Sequence, residues 1–474
     1  MAATMPVSEA QMVKSVTRTY PNRLRLVYLG IALVGLSVSV ASAVALGGAF
    51  AGYLPLLFVG AISLFMVLAR DMGALWVLLF FAAASQRPLS GLPGSSSLLW
   101  LDDLVVIGIV LAIISRWPEV REAFAGRFFL VVLLVAGLLL AVYLAPSFDL
   151  GVLQFRQVLV PVVLVISGAL VDKSDIRVAR RVAILLGVVA AVYAILEFFG
   201  VRLIDPNLYV SGQGEDGEAA VRDLPGFYYY FLDFGNYIVR SGTFLLNPPS
   251  GGIFIASAFA WLIALRTRFS VRDYLLAGLM IAGVATTLSR AAALIVILVV
   301  LQPLLIRRFG RVGFVLFGSL LAGIAFQEIA SHGSSARHSE GLVQGVLLGI
   351  SSPLFGAFGR VGNATKDWSG EGYGESAMAI FLSGAGWIGL VIVCLMLVSI
   401  YRGAAGTLSA VAAAALAASC FSETAVGLDA SAMLWTLAGV GLLKAPDGVG
   451  LLATGSAVDP STFSDTIGEQ KRLV

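Results

Sequence analysis

Apolar runs separated by short polar turns recur along almost the whole chain, and their length sets the expected architecture. A bilayer core of about 30 Å takes about 20 apolar residues per helix. Runs of that kind begin near Val27, Leu54, Gly73, Leu98, Phe128, Gln157, Val178, Gly251, Tyr274, Ala291, Val312, Ser376, Thr407 and Leu428. The pattern predicts an all-α polytopic membrane protein of about fourteen transmembrane helices with two long extracytoplasmic loops. Residues 1–26 form a polar N-terminal segment, and no small-residue cleavage site follows the first run, so a retained signal anchor is expected. Transmembrane helices are expected over 27–199, 251–328 and 376–444, with the large loops at 200–250 and 329–375. Residues 445–474 read as a disordered cytoplasmic tail.

Basic residues fix the sides. Counting from a cytoplasmic N-terminus, the inner turns hold Arg70; Arg116, Arg121 and Arg127; and Lys173, Arg177, Arg180 and Arg181. They continue with Arg266, Arg268 and Arg272; Arg307, Arg308 and Arg311; Arg402; and Lys444. Every strongly basic short turn thus falls on one side, as the excess of Lys and Arg on the cytoplasmic side of membrane proteins requires. Both termini are expected in the cytoplasm. One stretch, from Asp273 to Arg308, shows no obvious loop. A single crossing there would put one basic cluster outside, so two short spans with a tight turn near "TTLSR" are expected. This leaves Arg290 alone at the outer membrane face, where an arginine either snorkels to headgroups or has a partner.

Composition agrees with the pattern: the chain is 59% hydrophobic and 12% charged, with mean hydropathy +0.94. Soluble domains carry about 25% charged residues. The net charge of +3 gives no reason to expect nucleic acid as a partner. Cys394 and Cys420 fall in apolar runs and read as small buried hydrophobes rather than a disulfide or metal pair. There is no HExxH, P-loop or nucleophile elbow. Asp102 and Asp103 precede a span, and as acidic residues at a helix start they read as dipole partners in preference to a metal site. No metal and no cofactor are expected.

Chemistry on the outer side must come from the two large loops. The first opens with the acidic, flexible "SGQGEDGEAAVRD". Next comes the aromatic "LPGFYYYFLDFGNYIVR", suited to the interface or to stacking on sugar rings. Arg240 then precedes a turn set by Asn247, Pro248 and Pro249 and re-entry into the membrane. The second loop contains both histidines, within residues 331–341. Its stretch "SSARHSEGLVQGVLLGISSPLFGAFGR" predicts a short membrane-surface helix capped by Ser335 or Ser339, ending at Ser351–Pro353, with glycine turns near Gly356 and Gly359. His338 would lie in its first turn. The helix dipole disfavours imidazolium there, and a neutral imidazole can accept a proton. The alternative role of His338 is a cap or surface polar group; His332 is read as structural or idle.

Outside the cytoplasm there is no ATP, so a synthetic reaction needs an activated donor such as a sugar joined to a polyprenol through pyrophosphate. Guanidiniums can stabilise that leaving group, and a neutral base can take the proton of the incoming hydroxyl. Arg240, Arg290 and His338 are residues of the required types, with Arg337 and Arg360 nearby in the second loop.

Three pieces, "RSGTFLLNPPSGGIF", "TTLSRAAAL" and "RHSEGLVQGVLLGISSPLFGAFG" followed by "GWIGL", resemble the bacterial O-antigen ligase and polymerase superfamily. The likeness covers roughly residues 240–390. The resemblance implies a polytopic, metal-independent enzyme that transfers glycans from an undecaprenyl-pyrophosphate donor on the outer face of the cytoplasmic membrane. It matches Arg240 to the arginine before a G-T-F-x-x-N-P segment and Arg290 to the S-R-small turn. His338, or Arg337 in competition, matches the residue ahead of P-L-x-G. The family implies polymerisation of lipid-linked oligosaccharide in cell-surface polysaccharide synthesis, with ligation to another acceptor as the alternative. Partners would be the undecaprenyl-pyrophosphate-linked glycan, membrane lipids and a chain-length regulator. Two rival readings stand beside it: a lipid-linked glycan flippase, and a transferase using single-phosphate polyprenyl sugars through Asp102 and Asp103.

Overall fold

Inside hydrocarbon each backbone N–H and C=O must be paired within its own segment, which drives long apolar runs into helices. The computed structural model describes residues 30, 35, 53–90, 98, 100–124, 128–204, 229–231, 237–266, 268–330, 336–352, 354–362, 376–402 and 407–444. The first seven helices are α1 (Tyr53–Leu68), α2 (Met72–Ser90), α3 (Leu101–Ser115), α4 (Trp117–Ala123), α5 (Phe128–Tyr143), α6 (Phe148–Ser167) and α7 (Lys173–Phe198). Strands β1 (Tyr229–Phe231) and β2 (Tyr237–Val239) pair antiparallel, with Tyr230 opposite Ile238. Then follow α8 (Pro248–Ile263), α9 (Val271–Thr287), α10 (Arg290–Ala330), α11 (Ala336–Ser351), α12 (Ala377–Arg402), α13 (Thr407–Phe421) and α14 (Leu428–Lys444).

Most helices begin where hydropathy places them: Tyr53 against Leu54, Met72 against Gly73, Arg290 against Ala291, and Phe128, Thr407 and Leu428 at the expected residue. The run expected near Val27 lies outside the described residues, apart from Gly30 and Gly35, which are helical. The long ambiguous stretch is two helices: α9 ends at Thr287, Leu288 turns the chain in the left-handed region (φ 50°), and α10 starts at Arg290. A further break at Gly310 (φ 59°) divides α10 close to the run expected at Val312. Helix α6 differs most. It starts at Phe148 rather than near Gln157, because Asp149, Gln154, Arg156 and Gln157 are helical residues despite their polarity. The aromatic stretch before Arg240 contains the β1–β2 hairpin, which departs from a purely helical expectation.

Among the described residues five helical stretches are long and apolar enough to cross a membrane, and α4 with α5 makes a sixth if the bent pair is one span. Helices α1, α8, α13 and α14 are apolar but shorter, at 15 to 17 residues. At 1.5 Å per residue they reach about 25 Å, somewhat less than the hydrocarbon thickness. The surface is that of a membrane protein: Leu57, Leu68 and Leu275 are 71%, 75% and 70% exposed. A water-facing surface would not present so many large apolar side chains together.

Helix α8 is the hub. Every residue from Ser250 to Leu262 is buried, and the helix packs on α7, α9, α10 and α14. Its Trp261 meets Trp76 and Phe80 edge-on at 6.2 and 6.1 Å, and donates its indole N–H to the Met433 carbonyl at 2.8 Å. Small residues bring the neighbouring backbones together: a Cβ on Gly283 of α9 would meet Ala191 of α7 at 2.7 Å.

Helix α11, expected to lie along the membrane surface, packs lengthwise on α12 through Gly345 and Gly349. Gly345 faces Ala379 and Gly349 faces Leu382, so the two segments run side by side in the same direction. Val343, Leu347 and Ile350 are exposed. The helix starts at Ala336 and ends at Ser351, so Ser339 lies inside it, while Ser335 is outside the described residues. After it, residues 354–362 insert against α12 just before its break at Gly386 (φ 57°). Gly356 N–H donates to Gly384 O at 3.0 Å, Ala357 N–H to Ser383 O at 2.9 Å, and Phe358 N–H to Ala141 O at 3.2 Å. The glycine turns read from the sequence are thus a buried backbone insertion. Gly356→Ala should destabilise the protein by about 1–3 kcal/mol or more, because the added Cβ meets the Ser383 carbonyl. Thermal unfolding in detergent would measure it, and an unchanged midpoint would show that the insertion yields without cost.

Candidate functional site

Arg240 leads from β2 into the segment that starts α8. Its Nε donates to the Thr287 carbonyl at 3.1 Å, and the next N–H, that of Ser241, donates to Thr286 O at 3.0 Å. The segment is therefore docked on the C-terminal end of α9, whose last carbonyls lack helical partners. Three residues later in the chain Arg290 opens α10, with its side chain exposed. The two arginines singled out from the sequence are brought to a single turn.

A short 3-10 turn, Thr243–Leu245, joins Arg240 to α8. Asn247 then caps α8 by accepting from Ser250 N–H at 3.3 Å, and Pro248 supplies the fixed φ that suits the first helical position. Among the described residues four non-glycine residues have positive φ: Arg70, Thr243, Leu246 and Leu288. Three of the four flank Arg240 and Arg290. Thr243 is β-branched, for which this region is a true outlier costing about 1–3 kcal/mol.

The strained turn is held from two sides. Glu197, fully buried at the end of α7, accepts from the Ser241 hydroxyl at 2.6 Å and the Thr243 N–H at 2.9 Å. Arg87, in the last turn of α2, donates to the Leu245 carbonyl at 3.1 Å and pairs with Asp429 of α14 at 2.6 Å. The same end of the bundle holds two further polar ties. Arg156 of α6 donates from Nε to Asp103 at 2.6 Å, lies 3.8 Å from Asp102, and stands over the Trp100 ring at 5.6 Å. Gln157 donates to Glu423 at 3.1 Å. Asp102 and Asp103 are thus helix-start carboxylates, as read, but with an arginine as partner. Among the described residues no group of three or more His, Cys, Asp or Glu is placed to hold a metal.

The inserted loop is clamped to the same region by Gln154, also fully buried. Its amide N–H donates to Val361 O and its carbonyl accepts from Gly359 N–H, both at 2.7 Å. Arg360 in that loop is exposed. Arg337 and His338 occupy the first turn of α11, and their side chains lie outside the described residues, as does all of His332. The arrangement therefore unites Arg240 with Arg290, and ties the P-L-x-G segment to the bundle.

Arg87, Arg156 and Glu197 belong to this end of the fold and were not picked out as site residues by sequence. Arg87 and Arg156 carried the same signal as Arg290, lone arginines in apolar surroundings far from the basic turns. An apolar cavity of about 1550 Å³ follows α12 from its first residue, Ala377, to its last, Arg402; it is lined by Phe381, Met396 and Trp435, and Arg266 and Arg307 join Arg402 in the lining. Pockets for small ligands hold about 300–1,000 Å³, so this one suits something longer.

Arg87→Ala should destabilise the protein by about 3–5 kcal/mol, since Asp429 would be left as a buried, uncompensated charge. Adding Asp429→Asn to it should recover part of that loss in a denaturation midpoint, and no recovery would show that Arg87 acts mainly through Leu245. No protein-family model, no curated protein and no solved structure matches the chain.

Proposed function

We propose that the protein transfers glycans from an undecaprenyl-pyrophosphate donor on the outer face of the cytoplasmic membrane, and that it polymerises them. The reading takes about fourteen spans with both termini in the cytoplasm, the shorter helices completing their crossings through capped turns. It is supported above all by one observation: Arg240 is bonded to the Thr287 carbonyl, three residues before Arg290, where the backbone is strained at a polar end of the bundle.

The chemistry follows from charge. Breaking the glycosyl–phosphate bond develops negative charge on the pyrophosphate and positive charge at the anomeric carbon. Two guanidiniums fixed in place before the reaction stabilise the first without reorganising during it. In this reading His338, in the first turn of its helix, takes the proton of the acceptor hydroxyl, and Arg337 binds the glycan. The long apolar cavity along α12 has the size and lining for a polyprenyl chain.

The test supplies purified protein in nanodiscs with undecaprenyl-pyrophosphate oligosaccharide in EDTA, reading product lengths by gel and mass spectrometry. A ladder of donor-on-donor products is expected. Arg240→Lys and Arg290→Lys should each lower turnover by about 10²–10³, because an ammonium lacks the guanidinium fork. His338→Ala should abolish the ladder. Donor consumption only when a cell-envelope acceptor is added would make the protein a ligase. Donor moved between leaflets with no product would overturn the transferase reading.

Orientation has its own check. In a background with Cys394 and Cys420 replaced by Ser, Arg360→Cys should react with a membrane-impermeant maleimide in intact cells, and Arg272→Cys only after permeabilisation. The reverse pattern would place the arginine pair in the cytoplasm and overturn the outer-face reading.

A further inference from the structure

At the end of the bundle opposite Arg240 there is a second concentration of charge. Arg177, Arg180 and Arg181 of α7, Arg266 after α8 and Arg272 of α9 line one cavity of about 710 Å³, and Asp273 is the one carboxylate in that lining. Two of these arginines have structural duties. Arg180 donates from Nε to Trp261 O and from Nη2 to Leu262 O, each at 3.1 Å, which satisfies carbonyls at the end of α8. Arg266 lies 3.2 Å from Asp273, whose carboxylate is already engaged in a capping box with Ser270. Arg177, Arg181 and Arg272 are exposed. Arg177 and Arg181 stand one turn apart on α7, a spacing at which like charges repel.

The remaining lining is apolar. Ile184 and Val188 lie further along α7 from the arginines, and Leu276 lies further along α9. The cavity is therefore cationic at the helix ends and greasy between the helices, the profile of an amphiphile with an anionic head. Guanidinium forks match phosphate oxygens. Basic pockets between transmembrane helices on the cytoplasmic side bind anionic lipid headgroups. Five guanidiniums against a single carboxylate exceed what one phosphodiester neutralises.

We propose that the α7–α9 groove binds an anionic phospholipid of the inner leaflet, with a diphosphatidylglycerol, which carries two phosphates, as the occupant. The proposal rests on the orientation that places the basic turns inside, and is independent of the transferase reading.

The experiment is native mass spectrometry of the full chain from nanodiscs of phosphatidylcholine containing a minor share of diphosphatidylglycerol. The wild type should retain the anionic lipid in preference to phosphatidylcholine. The triple variant Arg177→Gln, Arg181→Gln and Arg272→Gln should bind it about 100-fold more weakly. The pair Arg307→Gln and Arg308→Gln, which removes charge from another inner turn, should keep most of the affinity. If the triple variant fails to fold, the three single variants replace it, each expected to weaken binding several-fold. Equal retention of both lipids by the wild type would overturn the proposal. So would undiminished binding by the folded triple or single variants, or equal loss in the Arg307 and Arg308 pair. Displacement of the bound lipid by inorganic phosphate alone would also overturn it, by making the groove an anion site rather than a lipid site.

Discussion

A helix enclosed on all sides has no water at its ends, so protein groups must complete its hydrogen bonding. Helix α8 imposes that constraint on much of this fold. At its start Asn247 takes up one N–H, and Glu197 and Arg87 hold the turn that delivers the chain to it. At its end Arg180 takes the carbonyls of Trp261 and Leu262, and the Thr407 hydroxyl takes that of Ala264 at 2.8 Å. Apart from Asn247, the cap of α8 itself, these partners come from three neighbouring elements: Arg87 from α2, Glu197 and Arg180 from α7, and Thr407 from α13. Satisfying α8 therefore fixes how α2, α7 and α13 are placed around it, and leaves their charged side chains concentrated at the two ends of the bundle.

The strained turn at Thr243 and Leu246 has the same origin. Reversing the chain from Arg240 into a buried helix within a few residues forces left-handed backbone on residues that disfavour it. Fixed acceptors and donors on both sides, Glu197 and Arg87, offset that strain. The outcome is an arginine whose backbone is fixed against the last carbonyls of α9, just before α10 begins. Preorganisation of this kind matters for a charged transition state, because the stabilising dipoles need not move when charge develops.

Much of the helical layout was legible because hydropathy is local. The start of α1, α2 or α10 depends on a change from polar to apolar residues within a few positions. The division at "TTLSR" was legible because two basic clusters had to share a side, and Leu288 supplies the turn. What could not be read were partners distant in the chain. Gln154 meets Val361 and Gly359, and Arg87 meets Asp429. Nothing local to either residue announces the other. The start of α6 was misjudged for the same reason: Arg156 and Gln157 look like loop residues until Asp103 and Glu423 are there to receive them. The insertion after α11 was read only as glycine turns, since glycine signals a turn and close backbone contact with equal force.

That insertion is joined to α12 by peptide groups, at Gly356, Ala357, Ser383 and Gly384. Bonds between peptide groups do not depend on side-chain identity, provided the glycines at the closest approach remain. Frame and lining are consequently separable along α12. Leu395, Met396 and Val398 line the cavity and stand outside the apolar cluster that holds Phe355 and Phe358 of the insertion, so their size can change the width and length of the cavity on an unaltered scaffold. A lineage carrying this fold could thus adapt to a longer, shorter or more branched lipid through a few substitutions, with no new architecture.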